Sequence, residues 1–258
     1  MILAIVNQKG GVAKTTSAIA LALHIARMGH KLLVIDADPQ ADTTFGFNIG
    51  EDAIKTSLAD VLSRSRTPVE SVVMPDVFPG VDLIPSHIEL SRSELQLASE
   101  IAGENMLSRA LAPIKDRYDY VLIDCPPSLG MLTVNALVAC EGVLVPTAAA
   151  PFAFKGMEML FDTVQLVKEH LNPNCRVIGI FLTNFDQRRR IEQDFLAHLK
   201  ATYAEMFETT IPTDVRLAEI GYYGDPTIAL GDSRGAIAYG ELAKEVVSRC
   251  HAQGNEAS

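Results

Sequence analysis

The run Lys9-Gly10-Gly11-Val12-Ala13-Lys14-Thr15-Thr16 sets two glycines, two lysines and two threonines side by side, a grouping suited to holding a polyphosphate. Glycine lets the backbone close around an anion, and the unpaired N–H groups of a helix start add the positive end of a dipole. A nucleotide is the natural ligand: Lys14 would reach the β and γ phosphates, the Thr15 hydroxyl would ligate Mg²⁺, and Thr16 would hydrogen-bond α-phosphate oxygens. Three aspartates extend the chemistry. Asp36 and Asp38 close one apolar run and Asp124 another, at the strand ends where open α/β sheets place their ligands. One carboxylate can orient an attacking water while another holds the Mg²⁺ shell. Asp124 would act through water, because Mg²⁺ usually keeps several waters of its own. A lone aspartate at a strand end reads as a turn former or helix cap; three at matching ends point to chemistry.

The elements that carry these groups follow from periodicity. Short runs rich in Val, Ile and Leu alternate with longer segments at helical spacing, the pattern of βαβ units on a parallel sheet. Strands are expected at Ile2–Asn7, Lys31–Asp36, Val81–Pro85, Tyr120–Asp124, Gly142–Pro146, Arg176–Thr183 and about Phe207–Ile211. Helices are expected at Thr15–Met28, near Ser57–Leu62, and at Glu104–Lys115, Leu129–Ala139, Phe154–Leu171, Ile191–Tyr203 and Ala236–Cys250. Continuous apolar character along Val121–Ile123 and Val177–Leu182 marks strands covered on both faces. The fold class is therefore α/β, a single doubly wound, mostly parallel sheet flanked by helices. Residues 1–250 read as one domain, a size such domains reach uncut, and 251–258 as a flexible tail. Residues 46–80, with scattered Pro and Gly, are the least legible.

Composition narrows the field. The 22 Lys and Arg stand against 32 Asp and Glu, a formal net charge of −10. This argues against a surface coated in nucleic-acid-binding charge and leaves room for one local basic patch. The longest apolar candidate, Gly142–Phe154, is interrupted by Pro146 and Pro151, short of the roughly 18 residues of a membrane span. Met1–Val6 runs directly into Asn7, Gln8 and Lys9, unlike a secretory leader, so the cytoplasm is the expected compartment. Cys125, Cys140, Cys175 and Cys250 are widely spaced with no CxxC pair, which favours buried free thiols over disulfides or zinc.

Two residues set the glycine loop apart from a strict Walker A motif: Gln8 stands at the first glycine position and Ala13 at the second. With its extra Lys9, the run Lys9-Gly10-Gly11-x-x-Lys14-Thr15-Thr16 resembles the deviant Walker A box of the ParA/MinD group of P-loop ATPases. Ile35-Asp36-Ala37-Asp38-Pro39-Gln40, Ile84-Pro85-Ser86 and Val121-Leu122-Ile123-Asp124-Cys125-Pro126-Pro127-Ser128 match as well. Near the C-terminus, Thr183-Asn184-Phe185-Asp186-Gln187-Arg188 and Ile211-Pro212-Thr213-Asp214-Val215-Arg216-Leu217-Ala218-Glu219 resemble segments of the small Soj-like partition ATPases. The resemblance implies slow, Mg²⁺-dependent ATP hydrolysis by an ATP-sandwiched homodimer, stimulated by a ParB-like or adaptor partner. Lys9, Lys14 and Asp38 would be the catalytic set, Lys9 reaching the partner's nucleotide much as an arginine finger does. Gly10, Gly11, Val12, Ala13, Lys14, Thr15 and Thr16 would cradle the phosphates. Thr15 and Asp124 would serve the metal, with Asp36 either structural or part of the metal shell, and Thr183 and Pro212 would lie near adenine. Pro126–Gly130 would form a switch that senses the γ phosphate.

Arg188-Arg189-Arg190 is the only three-residue basic run. The resemblance assigns it, with Arg216, to a surface that binds DNA without sequence preference in the ATP dimer. Such affinity falls steeply with salt, and it would place the ATP-bound protein on the nucleoid. Thr213 and Asp225 stand where many relatives carry Arg and Lys, and Asp186, Glu192, Asp194, Asp214 and Glu219 flank the patch. A MinD-like or adaptor-linked positioning ATPase that does not bind DNA is thus the other reading. The alanine run Ala148-Ala149-Ala150 also departs from relatives that carry Gln and Glu there. A membrane anchor is not expected, because His251–Ser258 is short and polar. A shared metal cluster is not expected of Cys125 and Cys140, nor a sequence-specific DNA-binding domain ahead of the first strand. The cargo stays open between plasmid, chromosome and protein complex.

Overall fold

The computed structural model describes residues 1–63 and 67–256. Seven strands form one sheet: β1 (Ile2–Ile5), β2 (Leu32–Asp36), β3 (Met74–Phe78), β4 (Val81–Ile84), β5 (Tyr120–Asp124), β6 (Gly142–Thr147) and β7 (Val177–Leu182). Their order is β3-β4-β2-β5-β1-β6-β7, and only the edge pair β3–β4 is antiparallel. The helices are α1 (Lys14–Arg27), α2 (Asp42–Gly46), α3 (Leu58–Leu62), α4 (Leu90–Leu97), α5 (Met106–Leu111), α6 (Met131–Ala139), α7 (Ala153–His170), α8 (Arg190–Thr202), α9 (Val215–Tyr223) and α10 (Arg234–Glu256).

Alternation along β1 shows how the sheet divides the core. Ile2, Ala4 and Val6 join apolar residues of α3 to α8 on one face, while Leu3 and Ile5 join α1, α9 and α10 on the other. Every residue of β1, β2, β4, β5 and β6 is buried, which is why these strands read as largely apolar runs, with Asp82 buried inside β4. Ser57 caps α3 in a reciprocal capping box with Asp60, so the one helix read in the obscure 46–80 stretch is real. All four cysteines are buried and free. No helix among the described residues is long and apolar enough to cross a membrane.

Several boundaries differ from expectation for identifiable reasons. Phe207–Ile211 is not a strand. Phe207 and Ile211 donate to Ile180 and Leu182 of β7, but the Glu245 carboxylate takes the N–H groups of Glu208 and Thr209 at 3.0 and 2.9 Å, pulling the chain off the ladder. The expected Glu104–Lys115 helix is cut to α5 with flanking 3₁₀ turns, because Pro113 cannot continue it. α10 runs on to Glu256, into the span read as a tail, where Ala252 and Gln253 are adequate helix formers; residues 257 and 258 lie outside the described residues. β3 carries Pro75 and Asp76, the latter at φ +51°, and so shows no strand alternation.

Gly179 on β7 lies against the Phe207 ring, so that a Cβ there would run into it. Gly179→Ala is expected to destabilise the protein by about 1–3 kcal/mol, read as a lower urea midpoint with unchanged slope.

Candidate functional site

The loop after β1 is tied down on both sides. Asn7 donates to the Pro146 carbonyl at 2.7 Å and accepts the Lys9 N–H at 2.9 Å, fastening the loop to β6. The Thr183 hydroxyl shares its single hydrogen between the Val12 and Thr147 carbonyls, at 3.1 and 3.0 Å, and the Asn184 amide donates to Gly11 O at 3.2 Å. Gly11 holds φ +73°, and a Cβ at Gly10 or Gly11 would meet nothing within 4 Å, leaving open space where a phosphate group would sit. Ala13 caps α1 at φ 60°, ψ 35°, a left-handed conformation that costs a non-glycine residue roughly 1–2 kcal/mol. The Ser17 hydroxyl helps hold it, donating to Ala13 O at 2.6 Å and accepting from Tyr239 at 2.8 Å. Lys14 is buried, with Nζ 3.4 Å from Lys9 O; burial lowers its pKa, opposed by the charges of Asp124 and Asp38.

Sheet register brings the carboxylates to this loop. Asp124 pairs in register with Ile5 of β1 on one side and Asp36 of β2 on the other. Thr15 and Thr43 both donate to Asp124 Oδ2, at 2.8 and 2.7 Å. Oδ1 is buried with no partner among the described residues. A buried unpaired carboxylate oxygen is unusual, and beside Thr15 and Lys14 it fits the hydration shell of a divalent cation. Burial raises the Asp124 pKa to about 6 against the pull of Thr43, Thr15 and Lys14. Asp36 differs, since its two oxygens are engaged with the chain. Oδ2 accepts the Thr44 N–H and hydroxyl at 2.8 and 2.7 Å, and Oδ1 the Asp38 N–H at 3.2 Å. Burial, then the neighbouring Asp124 charge, pushes its pKa to about 8. Both Asp36 oxygens are thus committed to groups of the chain itself. Asp38 is half-buried and accepts the Gln40 N–H at 2.9 Å.

The remaining candidates separate. Pro212 lines a groove of about 680 Å³ with Phe185, Thr213, Arg188, Arg189 and Arg234. Thr183 is buried and turned to backbone carbonyls, so it braces the loop rather than lining this groove. Each arginine of the expected DNA surface faces a carboxylate: Arg188–Asp186 at 2.9 Å, Arg189–Glu192 at 2.8 Å, Arg190–Asp194 at 3.8 Å and Arg216–Asp232 at 3.0 Å. Sequence reasoning missed Asn7, Thr43, Thr44 and Asn184. The signal for Thr43-Thr44 was a second threonine pair opening a helix soon after a strand-end carboxylate, echoing Thr15-Thr16.

A glycine loop opening a helix beside a central parallel strand, with a threonine-held carboxylate on the next strand, defines a P-loop nucleotide-binding ATPase of the deviant Walker A type. A family model described as an AAA domain matches residues 1–177. The sporulation initiation inhibitor protein Soj of Bacillus subtilis is 38% identical over 249 residues, covering 96% of this chain and 98% of that protein. The chromosome partitioning protein ParA of Caulobacter vibrioides is 40% identical over 253 residues, covering 96% and 94%. A cobyrinic acid a,c-diamide synthase from Mycobacterium smegmatis, solved with an ATP analogue and magnesium, superposes with a TM-score of 0.81 at 32% identity over 94% of this chain and 92% of that one. The chain belongs to the ParA family of P-loop ATPases, whose cofactors are ATP and Mg²⁺.

The raised carboxylates set a pH dependence. Asp36 and Asp124 bind protons more tightly folded than unfolded, so their stabilising contribution is full below about pH 4 and is lost as pH rises through about 6 and about 8. His24, whose pKa burial lowers from 6.5, acts in the opposite sense at lower pH. Metal-free protein is expected to lose thermal stability between about pH 6.5 and 8, and added Mg²⁺ to flatten that slope. A melting temperature that climbs across this window in scanning fluorimetry would contradict the assignment.

Proposed function

We propose that the protein is a ParA-type ATPase of a DNA-segregation or cargo-positioning system. It forms an ATP-sandwich homodimer in the cytoplasm, binds DNA nonspecifically on the nucleoid, and is reset when a ParB-like or adaptor protein stimulates hydrolysis. The observation that carries the reading is the Asp124 carboxylate, one oxygen shared by Thr15 and Thr43 and the other without a partner among the described residues, close to the charge of Lys14. Lys14 and the glycine-loop N–H groups would hold the phosphates, and Thr15 and Asp124 the hydrated Mg²⁺, whose charge offsets that of the transferred phosphoryl group. Asp38 would orient the attacking water.

Lys9 supports dimerisation. It is exposed and shares a groove of about 320 Å³ with Phe152, a residue 85% exposed whose backbone is left-handed at φ 61°. A large exposed ring on a strained backbone beside a cation marks a surface that closes against another. A second copy closing here would let each Lys9 reach the opposite nucleotide.

For DNA, the paired arginines matter. Exposed ion pairs are weak and salt-screened, so phosphates can replace the carboxylates facing Arg188, Arg190 and Arg216, whereas the buried Glu192 keeps its hold on Arg189; each protomer alone would bind poorly. The same pairing favours a second reading, an adaptor-linked positioning ATPase whose arginines stay paired.

Retention on nonspecific DNA is expected only with ATP, falling steeply between about 50 and 200 mM salt, and Arg216→Glu is expected to weaken it at least about tenfold. Equal retention with ATP, ADP and no nucleotide would sink the switch; no retention in any state would leave the positioning reading. Separately, Lys9→Ala is expected to abolish ATP-driven dimerisation in light scattering while nucleotide affinity stays within about threefold, as a residue acting in trans requires.

A further inference from the structure

We infer that Ser86 and Thr44 are positioning residues for hydrolysis, fixing Asp38 through a closed ring of hydrogen bonds. The inference rests on the reading in which Asp38 serves hydrolysis. Ser86 belongs to the Ile84-Pro85-Ser86 segment that follows β4, to which the phosphate chemistry gives no role of its own. The ring starts at Asp36, whose Oδ2 accepts both the N–H and the hydroxyl of Thr44, at 2.8 and 2.7 Å. Thr44 Oγ1 in turn accepts the Ser86 N–H at 2.9 Å. The Ser86 hydroxyl donates to the Asp38 carbonyl at 2.6 Å, and the Asp38 N–H returns to Asp36 Oδ1 at 3.2 Å.

Each hydroxyl hydrogen in this ring has one acceptor. The Thr44 hydroxyl has a single hydrogen, directed at a carboxylate, which leaves its lone pair for the Ser86 amide. Ser86 likewise has one hydroxyl hydrogen, and it faces a carbonyl. Asp36, Thr44 and Ser86 are all fully buried, so water cannot substitute for a missing member. The consequence falls on Asp38, whose own N–H and C=O are both held. With the backbone fixed on either side of its Cα, the carboxylate is left only its side-chain rotamers, and the Gln40 N–H engages one oxygen at 2.9 Å.

Ser86 also changes what Asp38 is anchored to. α2 is a single short turn, whereas β4 is a buried strand of the sheet. Asp38 lies two residues past the end of β2, with the Ala37 N–H on Asp124 O, and Ser86 adds a second tie, to the end of β4. A group that must meet a water at a reacting phosphate gains from such support, because misplacement by an ångström costs up to about a hundredfold in rate. The adjacent Thr43 holds Asp124, so the start of α2 links the metal-side carboxylate to the ring.

Ser86→Ala removes the hydroxyl that closes the ring. On nucleotide-free protein, hydrogen–deuterium exchange at residues 38–41 is expected to speed up roughly tenfold. Steady-state ATP hydrolysis is expected to show kcat reduced about tenfold or more with KM within about twofold. Asp38→Ala with Ser86→Ala is expected to be no slower than Asp38→Ala alone, and Thr44→Ser, which keeps the hydroxyl, to retain wild-type rate and exchange. If Ser86→Ala fails to fold, Ser86→Cys keeps a similar volume with a weak donor and gives the same readouts. Unchanged exchange at 38–41, or a further loss of rate in the double variant, overturns the inference. Wild-type hydrolysis by Ser86→Ala beside an inactive Asp38→Ala overturns the positioning role alone. Wild-type hydrolysis by Asp38→Ala overturns the role of Asp38 and the inference with it.

Discussion

Burying a carboxylate away from water is costly unless its oxygens find partners, and Asp124 satisfies only one of them. Two threonine hydroxyls converge on Oδ2 from separate elements, Thr15 at the start of α1 and Thr43 at the start of α2. Lys14 opposes the negative charge, and Oδ1 is left without a partner among the described residues. The central place of β5, between β1 and β2, lets one side chain gather both helix starts. The phosphate loop and the Asp38 loop are thus fastened to a common carboxylate. A cation-bound water offered to Oδ1 would complete its coordination, and both loops would register that event together.

Much of this was legible in sequence because it depends on local pattern. The glycine loop, the lysine and the threonine pair are contiguous, and the strand ends announce themselves where apolar runs meet Asp36 and Asp124. What was not legible depends on approach through space. Thr43 and Thr44 look like polar residues of a short turn until the sheet register puts Asp124 and Asp36 beneath them. Ser86 lies far along the chain from the loop it touches. The strand expected at Phe207–Ile211 has the right composition but loses two N–H groups to Glu245 on α10. Short helices such as α4 and α9, without a long apolar stripe, gave too little periodicity to separate them from loops.

Charge shows the same division. The acidic neighbours of Arg188, Arg189 and Arg190 are visible in the sequence, but Asp232, the partner of Arg216, comes from a different segment. With a net charge of −10 and with Arg188, Arg189, Arg190 and Arg216 each facing a carboxylate, long-range attraction of a polyanion to a single copy is weak. Any phosphate backbone that engaged them would have to compete with carboxylates already in place, and a doubled surface would compete better than a single one. Phe152 and Lys9, beside the phosphate loop, lie on the groove where such doubling and nucleotide chemistry would be coupled.

The sheet has two rims, and neither is available for growth. On one side β3 is bent by Pro75, by Asp76 at positive φ and by a register shift against β4. On the other, segment 205–211 and the Arg249 guanidinium occupy the outward amide and carbonyl groups of β7. An exposed parallel sheet would invite strand-by-strand polymerisation at high cellular concentration; here that route to aggregates is blocked at both rims. Copies of this chain can therefore meet at high concentration without their sheets fusing.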